Sequence, residues 1–401
     1  MANTFEIKKD LYYTGVTDKD LKVFDIIMET EFGTTYNSYL IKDEKTVLFD
    51  TAKKEFQEEF LSNLREVTDI ADIDYVVVHH TEPDHAGSLK ALLDLNPNIE
   101  VYCTRAAKLY LDSQINRDFK CHVVADGETL NIGKRTLTFI HAPFLHWVDT
   151  MFTYDEYDKV LFTCDAFGSH YACVHLDDIV HADYHKANKL YYDCIVKPFA
   201  KHVLTALDKV KSLNLDFDTI LTSHGPILDR NLGHIIAMYT KWSKDAVAAT
   251  KKDRVCIFYL SAYGNTLAMS KEIAKGLESE GMEVELFDLE TTPLDKVHDE
   301  LISSKGVMLG SPTINKTMVK PMWDFFSIVD PVANAGKFVA VFGSYGWSGE
   351  GLAIAHANAK AVGFKTPLDP LKKKFFPSEE TFEDCFEFGA NFAKNIIFLY
   401  S

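Results

Sequence analysis

The sequence predicts an α/β protein of two domains, and three observations support this. The chain has 401 residues, more than one hydrophobic core usually covers. In the first part, short apolar strands end repeatedly in a histidine or an aspartate. In the last part, apolar strands alternate with helical segments, the pattern of a doubly wound parallel sheet. We therefore expect domains over residues 1–250 and 254–401, separated by the charged stretch "AATKKDR".

Composition and charge restrict the class of protein. The apolar fraction of 47% and the charged fraction of 25% are those of an ordinary globular chain. A formal net charge of -17 repels a nucleic-acid backbone, so we expect no nucleic-acid partner. We expect no signal peptide, and no apolar run reaches the ~20 residues of a membrane span. Seven scattered cysteines without a C-x-x-C pair indicate a reducing compartment, so we expect a cytoplasmic protein without a membrane partner.

The first part of the chain consists of short strands and helices. A polar turn, "KDEK", separates two apolar segments and predicts a β-hairpin at residues 36–50. Helical spacing follows over residues 54–67, and "YVVV" at 75–78 predicts a buried strand. A helix is expected from about 225 to 253. Three further strands that end in a histidine or an aspartate are predicted within residues 136–143, 159–167 and 217–226.

The stretch "HHTEPDHAGSL" at residues 79–89 follows the predicted strand directly. Ionisable groups beside a buried strand cost desolvation energy unless they have a partner, so we expect a metal site. The candidate ligands here and at later strand ends are His80, Glu82, Asp84, His85, His146, Asp165 and His224. Four imidazoles and three carboxylates without a thiolate suit iron, zinc or manganese. Seven groups are too many for one tetrahedral ion and fit two ions that share a carboxylate, with Asp165 as the natural bridge.

The order of residues within this stretch gives a further expectation. His80, Glu82 and Asp84 alternate, so an extended backbone would direct them to one side. Pro83 stiffens the loop, and His85 lies where the next helix would begin. Three other histidines are expected to be ordinary surface or core residues: His79, His141 and His202.

In the second part, the stretch "YLSAYGNTLAMS" at residues 259–270 passes from an apolar strand into a helix. Hydroxyl and backbone N–H groups at a helix N-terminus bind an anionic phosphate. The lysine of a nucleoside triphosphate loop is absent, and so is the G-x-G-x-x-G fingerprint of a dinucleotide site. Two later loops, at 311–315 and 343–351, also follow apolar strands. All three loops should therefore lie on one edge of the sheet, where ligands of open α/β sheets bind.

The first of these loops resembles the phosphate loop of flavodoxins, which bind FMN. The resemblance covers about residues 254–401 and implies one FMN site formed by the three loops, in which Tyr345 and Trp347 would flank the isoalloxazine ring. The residues expected to bind FMN are Ser261, Ala262, Tyr263, Gly264, Asn265, Thr266, Pro312, Thr313, Ile314, Asn315, Ser344, Tyr345, Gly346, Trp347, Ser348 and Gly349.

The first part of the chain resembles the metallo-β-lactamase fold, an αββα sandwich. "HHTEPDHAGSL" is similar to its H-x-[EH]-x-D-H signature, and "FLHW", "TCDAFG" and "SHGP" match the remaining ligand positions in order, over about residues 1–250. Hydrolases of that fold normally have histidine at the position of Glu82. A carboxylate there favours harder, higher-valent iron. A lactamase-like domain followed by a flavodoxin-like domain resembles the flavodiiron proteins, or A-type flavoproteins.

This resemblance implies an oxidoreductase that reduces dioxygen to water, nitric oxide to nitrous oxide, or both. Full reduction of dioxygen takes four electrons, and two iron ions with one FMN can hold four. Trp147 and Tyr192 would shape the pocket for the gas. The seven ligands implied by the family pattern are His80, Glu82 and His146 for one iron, Asp84, His85 and His224 for the other, and Asp165 for both.

The same resemblance implies partners. A head-to-tail homodimer, or a dimer of such dimers, would place the FMN of one chain beside the iron pair of another. No C-x-x-C pair follows the predicted flavin domain, so we expect no fused rubredoxin. The electron donor would then be external, such as rubredoxin or a reduced flavin-type coenzyme. Direct oxidation of NADH is disfavoured because no nicotinamide fingerprint is present.

Two other functions remain open from the sequence. One is a dinuclear zinc hydrolase with a flavodoxin-like appendage. The other is a flavin electron-transfer module in which the metal site is only structural. The ligand set also does not rank dioxygen against nitric oxide, because both reactions use the same ligands.

Overall fold

The computed structural model describes residues 4–25, 28–175, 181–249 and 253–398. The chain divides into two compact units, Met1–Asp245 and Ala246–Ser401. Residues 250–252, within the "AATKKDR" stretch, lie outside the described residues. The domain limits of 1–250 and 254–401 therefore remain a prediction, although the units have a similar extent.

The first unit contains two β-sheets. One has the strand order β1-β2-β7-β8-β9-β10-β11, the other has the order β12-β13-β14-β15-β16, and β3–β6 and β4–β5 form two short ribbons. The strands in chain order are β1 (Phe5–Lys8), β2 (Leu11–Tyr13), β3 (Val16–Asp18), β4 (Val23–Phe24), β5 (Met28–Glu29), β6 (Thr34–Tyr36), β7 (Tyr39–Lys42), β8 (Thr46–Phe49), β9 (Ile73–Val77), β10 (Glu100–Cys103), β11 (Lys120–Val123), β12 (Thr129–Asn131), β13 (Thr136–His141), β14 (Met151–Asp155), β15 (Val160–Cys164) and β16 (Thr219–Thr222).

Apolar residues hold the two sheets face to face. Val47 and Val77 of the first sheet pack with Phe139 and Leu221 of the second in one buried cluster. Helices cover the outer faces through two further clusters, which gives the predicted αββα sandwich. The helices are α1 (Gln57–Val67), α2 (Pro83–Ala86), α3 (Leu89–Leu95) and α4 (Arg105–Ile115) on the side of the first sheet, and α5 (His181–Tyr191), α6 (Ala200–Ser212) and α7 (Leu232–Ala249) on the side of the second.

Strand direction brings the polar strand ends together. The predicted hairpin is the antiparallel pair β7–β8, with Tyr39 opposite Phe49. Strands β8, β9 and β10 are parallel, so the residues after β9 leave at the carboxyl edge of the first sheet. Strands β15 and β16 are parallel as well, so Asp165 and His224 follow their ends at one edge of the second sheet. Short apolar strands that end in polar residues thus place those residues on a shared edge.

The second unit is a doubly wound parallel sheet, as predicted. Its five parallel strands have the order β18-β17-β19-β22-β23, with helices on both faces. The strands of this sheet are β17 (Arg254–Tyr259), β18 (Glu283–Asp288), β19 (Gly306–Gly310), β22 (Phe338–Tyr345) and β23 (Leu371–Lys374). A separate antiparallel ribbon consists of β20 (Thr313–Ile314) and β21 (Thr317–Met318). The helices are α8 (Asn265–Ser279), α9 (Leu294–Ser303), α10 (Lys320–Ser327), α11 (Glu350–Ala361) and α12 (Glu379–Phe398). Among the described residues, no helix is both long and apolar enough to cross a bilayer.

Candidate metal centre and flavin loops

The residues after β9 pass through a non-helical segment into a short helical turn. Glu82 precedes helix α2, and Pro83 occupies its first position. Proline suits that position because its fixed φ is helical and its missing N–H group has no partner there in any case. The expectation of an extended backbone through His80, Glu82 and Asp84 is therefore wrong at Asp84, which lies within the turn, whereas Glu82 is non-helical, with a ψ of 143°. The turn instead buries Asp84 and His85 at the edge of the sandwich.

The structure brings all seven predicted ligands together at this edge. In each of three groups the ligand atoms lie within 4.8 Å of one another. Two of the groups are the two sets that the family pattern assigns to separate ions. The three groups are His80, Glu82 and His146; Asp84, His85 and His224; and His80, His85 and Asp165.

Asp165 connects the two sets through its two carboxylate oxygens. Its Oδ2 lies 3.9 Å from Nε2 of His80 and 3.7 Å from Nε2 of His146. Its Oδ1 lies 3.3 Å from Nε2 of His85 and 3.5 Å from Nε2 of His224. Each oxygen thus faces a different pair of imidazoles, which is the arrangement of a carboxylate that bridges two ions.

The chemistry of this donor set fits two metal ions. Oδ2 of the buried Asp84 lies 3.1 Å from Nε2 of His224, but neither of its carboxylate oxygens has a hydrogen bond of acceptable geometry, a costly state for a carboxylate that binds nothing else. Burial raises the pKa of Asp165, but the charge of His85 outweighs it and holds that pKa well below its usual range. The carboxylates are therefore ionised and able to bind cations.

Groups behind the ligands hold the imidazoles in place. The Nδ1 of His80 lies 3.2 Å from Oδ1 of Asp149, and the Nδ1 of His224 lies 2.6 Å from the carbonyl oxygen of Thr35. These contacts direct the Nε2 atom of each ring toward the other ligands. Asp149 was not among the residues predicted from the sequence. Its position, three residues after His146 and just before a strand, is a signal that could have indicated it.

We expect Asp149→Asn to weaken metal binding ~10–100-fold without unfolding the protein. The other oxygen of Asp149 accepts hydrogen bonds from the backbone N–H of Thr81 at 2.8 Å and from its hydroxyl at 2.7 Å. An amide cannot accept both of these and the bond from His80. Competition titration with a metal-binding dye measures the loss. Asp155→Asn, a buried aspartate at the far end of β14, is the matched control and should bind metal normally; unchanged affinity in Asp149→Asn would contradict the prediction.

Metal binding should also release protons. Burial lowers the pKa of His80, but hydrogen bonds to Asp149 and Glu82 outweigh it and raise that pKa to about 9. The pKa of His85 is also raised, chiefly by Asp165 and Asp84 against burial. An imidazole with a raised pKa keeps its proton below that pKa, and a metal ion must displace it. Metal affinity should therefore fall as the pH drops below about 9, by up to ~tenfold per pH unit for each displaced proton. Metal titrations of the metal-free protein in weak buffer with a pH indicator measure this; binding without acidification would contradict it.

The two aromatic residues predicted for the gas pocket have different positions. Trp147 lies beside the ligands, with its ring centroid 5.0 Å from that of His80, and is 38% exposed. Tyr192 points away, because its hydroxyl lies 2.9 Å from that of Ser243. Its neighbour Tyr191 instead donates a hydrogen bond of 3.1 Å to Oδ1 of Asp165. The sequence-based prediction named Tyr192, but the helical phase at the end of α5 turns Tyr191 toward Asp165 instead.

His79, predicted to be a bystander, is buried away from the ligand groups. Its Nδ1 lies 2.7 Å from Oδ2 of Asp50, and its Nε2 lies 2.9 Å from the hydroxyl of Thr153. Both ring nitrogens thus have partners of their own.

The three predicted flavin loops lie at the carboxyl ends of adjacent parallel strands β17, β19 and β22. Gly264 precedes helix α8 with a φ of 82°, a conformation that favours glycine. The hydroxyls of Thr266 and Ser344 are 3.2 Å apart and connect the first loop with the third. The side chains of Tyr263 and Trp347 are 89% and 81% exposed. Two large, mostly exposed rings beside a helix N-terminus suit a planar ligand with a phosphate.

Each of the two units is similar to a known protein family. The model of the "ODP family beta lactamase" matches residues 34–225, and the flavodoxin model matches residues 257–389. A flavo-diiron protein of Clostridium acetobutylicum, FprA2, is 40% identical over 98% of this chain and 99% of its own. An anaerobic nitric oxide reductase flavorubredoxin of Vibrio vulnificus is 35% identical over 98% of this chain and 80% of its own.

Solved structures give the same result. The rubredoxin oxygen:oxidoreductase of Desulfovibrio gigas superposes with a TM-score of 0.68, at 30% identity, over 98% of this chain and 99% of that one. The flavodiiron protein of Giardia intestinalis superposes with a TM-score of 0.66, at 30% identity, over 99% of this chain and 97% of that one. The similarity extends over both units. The chain belongs to the flavodiiron protein family, and it is an oxidoreductase.

Proposed function

We propose that this chain reduces dioxygen to water, nitric oxide to nitrous oxide, or both, at two non-haem iron ions that receive electrons through FMN. The observation that carries the proposal is Asp165, whose two oxygens face separate pairs of histidines. A mononuclear site has no need for such a bridge. The names of two relatives, a nitric oxide reductase and an oxygen:oxidoreductase, support the two gases as substrates.

The residues of the chain bind the ions and orient the ligands. His80, Glu82 and His146 would hold one ion, Asp84, His85 and His224 the other, and Asp165 both. When bound, the ions and FMN supply the electrons and the open positions for the gas. The hydroxyl of Tyr191 donates a hydrogen bond to Oδ1 of Asp165. Burial raises the pKa of Tyr191 well above its usual value, so the hydroxyl keeps that proton. Trp147 covers one side of His80.

In the second unit, the same three loops would hold FMN. The backbone N–H groups at the start of α8 and the hydroxyls of Ser261 and Thr266 suit the phosphate. The Oγ of Ser261 already accepts a hydrogen bond of 3.1 Å from the N–H of Leu267, which fixes the loop. Tyr263, Tyr345 and Trp347 would cover the ring.

We further propose a head-to-tail homodimer, or a dimer of such dimers, and an external electron donor such as rubredoxin or a reduced flavin-type coenzyme. A dimer of this kind would bring the FMN of one chain to the ions of another. The name of the Desulfovibrio relative supports rubredoxin as a donor. Analytical ultracentrifugation combined with activity measurements tests the dimer, and a fully active monomer would overturn it.

Metal and flavin analysis followed by gas reduction tests the function. The purified protein should contain about two iron ions and one FMN per chain. After anaerobic reduction it should consume dioxygen without releasing peroxide, or convert nitric oxide to nitrous oxide. Zinc without iron or flavin would favour the hydrolase. Slow reoxidation with peroxide release would favour a flavin electron-transfer module. His146→Ala should abolish gas reduction, whereas His202→Ala, a histidine outside the three ligand groups, should not.

A further inference from the structure

Two cysteines of the first unit face each other across neighbouring strands. Cys103 is the last residue of β10, Cys121 lies in β11, and their Sγ atoms are 3.6 Å apart, close enough for a thiol–thiol hydrogen bond. Cys103 is buried among the apolar residues beneath helix α4, whereas Cys121 is partly exposed. Both are free thiols in this structure. One thiol is thus open to solvent, and its partner is held directly behind it.

The surroundings make the two thiols chemically different. The hydrogen bond from Cys103 lowers the pKa of Cys121, burial opposes this, and the charge of Lys108 lowers it further, while Asp112 and Glu100 act in the opposite direction. The same bond and burial raise the pKa of Cys103. A partly exposed thiol with a lowered pKa is the kind that reacts with peroxides, and a nearby thiol can then resolve the product.

A short chain of contacts leads from this pair to the metal ligands. Thr104 follows Cys103 directly, and its hydroxyl donates a hydrogen bond of 3.0 Å to the backbone carbonyl of Asp149. The side chain of Asp149 lies 3.2 Å from Nδ1 of His80. These contacts connect the position of the backbone at Cys103, through Thr104 and Asp149, with the orientation of the His80 ring.

We propose that Cys103 and Cys121 form a modification site for hydroperoxides, and that closing the pair into a disulfide loosens the metal ion at His80. The thiolate of Cys121 attacks the O–O bond of the hydroperoxide, which leaves a sulfenic acid and releases water or an alcohol. The thiol of Cys103 then displaces the hydroxyl group as water, and the S–S bond forms. Two thiols are oxidised by two electrons, and the hydroperoxide takes up both electrons and both hydrogens. The effect on the metal rests on the proposed function, whereas the disulfide does not.

The register of the strands explains why closure moves the backbone. Cys121 lies opposite Val101, two residues before Cys103, so the thiols meet diagonally. A disulfide needs the sulfurs at about 2.05 Å, about 1.5 Å closer than they are. Strand β11 can make that approach because it is the edge strand and, within the part of the chain that the structure describes, pairs with β10 alone. Closure therefore draws the end of β10 and the edge strand together, directly before Thr104.

The test exposes the iron-loaded full-length protein to hydrogen peroxide and then maps its thiols by alkylation and mass spectrometry. We expect a peptide linked through Cys103 and Cys121. The free thiol of Cys121 should be lost at least ~10-fold faster than that of Cys194, which lies at the surface but whose pKa is raised by partial burial and by the charge of Asp193. Bound iron should fall with the same time course, and dithiothreitol followed by ferrous iron should restore it. Cys121→Ser and Cys103→Ser should keep their iron for longer under peroxide, whereas Cys194→Ser should behave like the unmodified protein.

Two results would overturn the proposal. One is oxidation of Cys194 as fast as that of Cys121 with no linked peptide. The other is a linked peptide without faster loss of iron than in Cys121→Ser. The iron content of the untreated protein tests the proposed function separately, so failure of one can be distinguished from failure of the other.

Discussion

Asp165→Asn should lower gas reduction more than ~100-fold and leave FMN bound. Substitution of a residue that contacts a metal ligand, but not the metal, already changes metal affinity by ~10–100-fold. Asp165 lies between both ligand sets, so its substitution should have a larger effect. An amide has only one acceptor oxygen, so it can serve one set and presents an N–H group to the other. The expected product is a protein with about one iron ion per chain. Iron analysis and turnover with each gas under one electron donor measure the effect.

The control for this substitution is Asp155→Asn. Asp155 is buried at the end of β14, in the sheet whose strand β15 precedes Asp165, and it lies near Arg135. Its partners among the described residues include no predicted metal ligand. It should retain two iron ions and full turnover, which separates loss of the bridge from a general cost of replacing a buried aspartate. Two iron ions with normal turnover in Asp165→Asn would mean that another group bridges the ions and that our assignment of the ligands is incorrect.

The sequence was sufficient for those features that depend on local pattern. Apolar runs of four to six residues between turn signals predicted the strands, and alternation of strands with helices predicted the parallel sheet of the second unit. The seven ligand positions could be named because each lies in or after a strand-end motif. Strand ends that share one edge bring such residues together whatever the details of packing.

Features that depend on the phase of a helix or on contacts between distant segments could not be predicted in the same way. Tyr191 and Tyr192 are equivalent in the sequence, and only the course of α5 places one hydroxyl on Asp165 and the other on Ser243. Asp149 reaches His80 across 69 residues of sequence. The extended backbone expected through His80, Glu82 and Asp84 failed at Asp84, because Pro83 begins a helical turn that contains this residue.

The largest change in metal chemistry is expected from Glu82→His. Oε2 of Glu82 lies 3.2 Å from Nε2 of His80 and 3.1 Å from Nε2 of His146. Histidine at this position would replace one of the three carboxylates in the donor set with an imidazole. Less negative charge and more nitrogen should shift the site from iron toward zinc, and because zinc has no redox chemistry, gas reduction should be lost. Metal analysis of protein grown with both metals, together with turnover, measures the change.

Glu82→Gln separates the two causes of that change. Glutamine removes the same charge but adds no imidazole, so this variant should lose metal from the set with His80 and His146 without gaining zinc. If Glu82→Gln gained as much zinc as Glu82→His, charge alone would select the metal. If Glu82→His kept its reductase activity with iron fully loaded, the carboxylate at this position would not be what distinguishes this chain from the zinc hydrolases of its fold. The selection would then have to lie in residues other than Glu82, and the contact of Asp149 with His80 would be the first to examine.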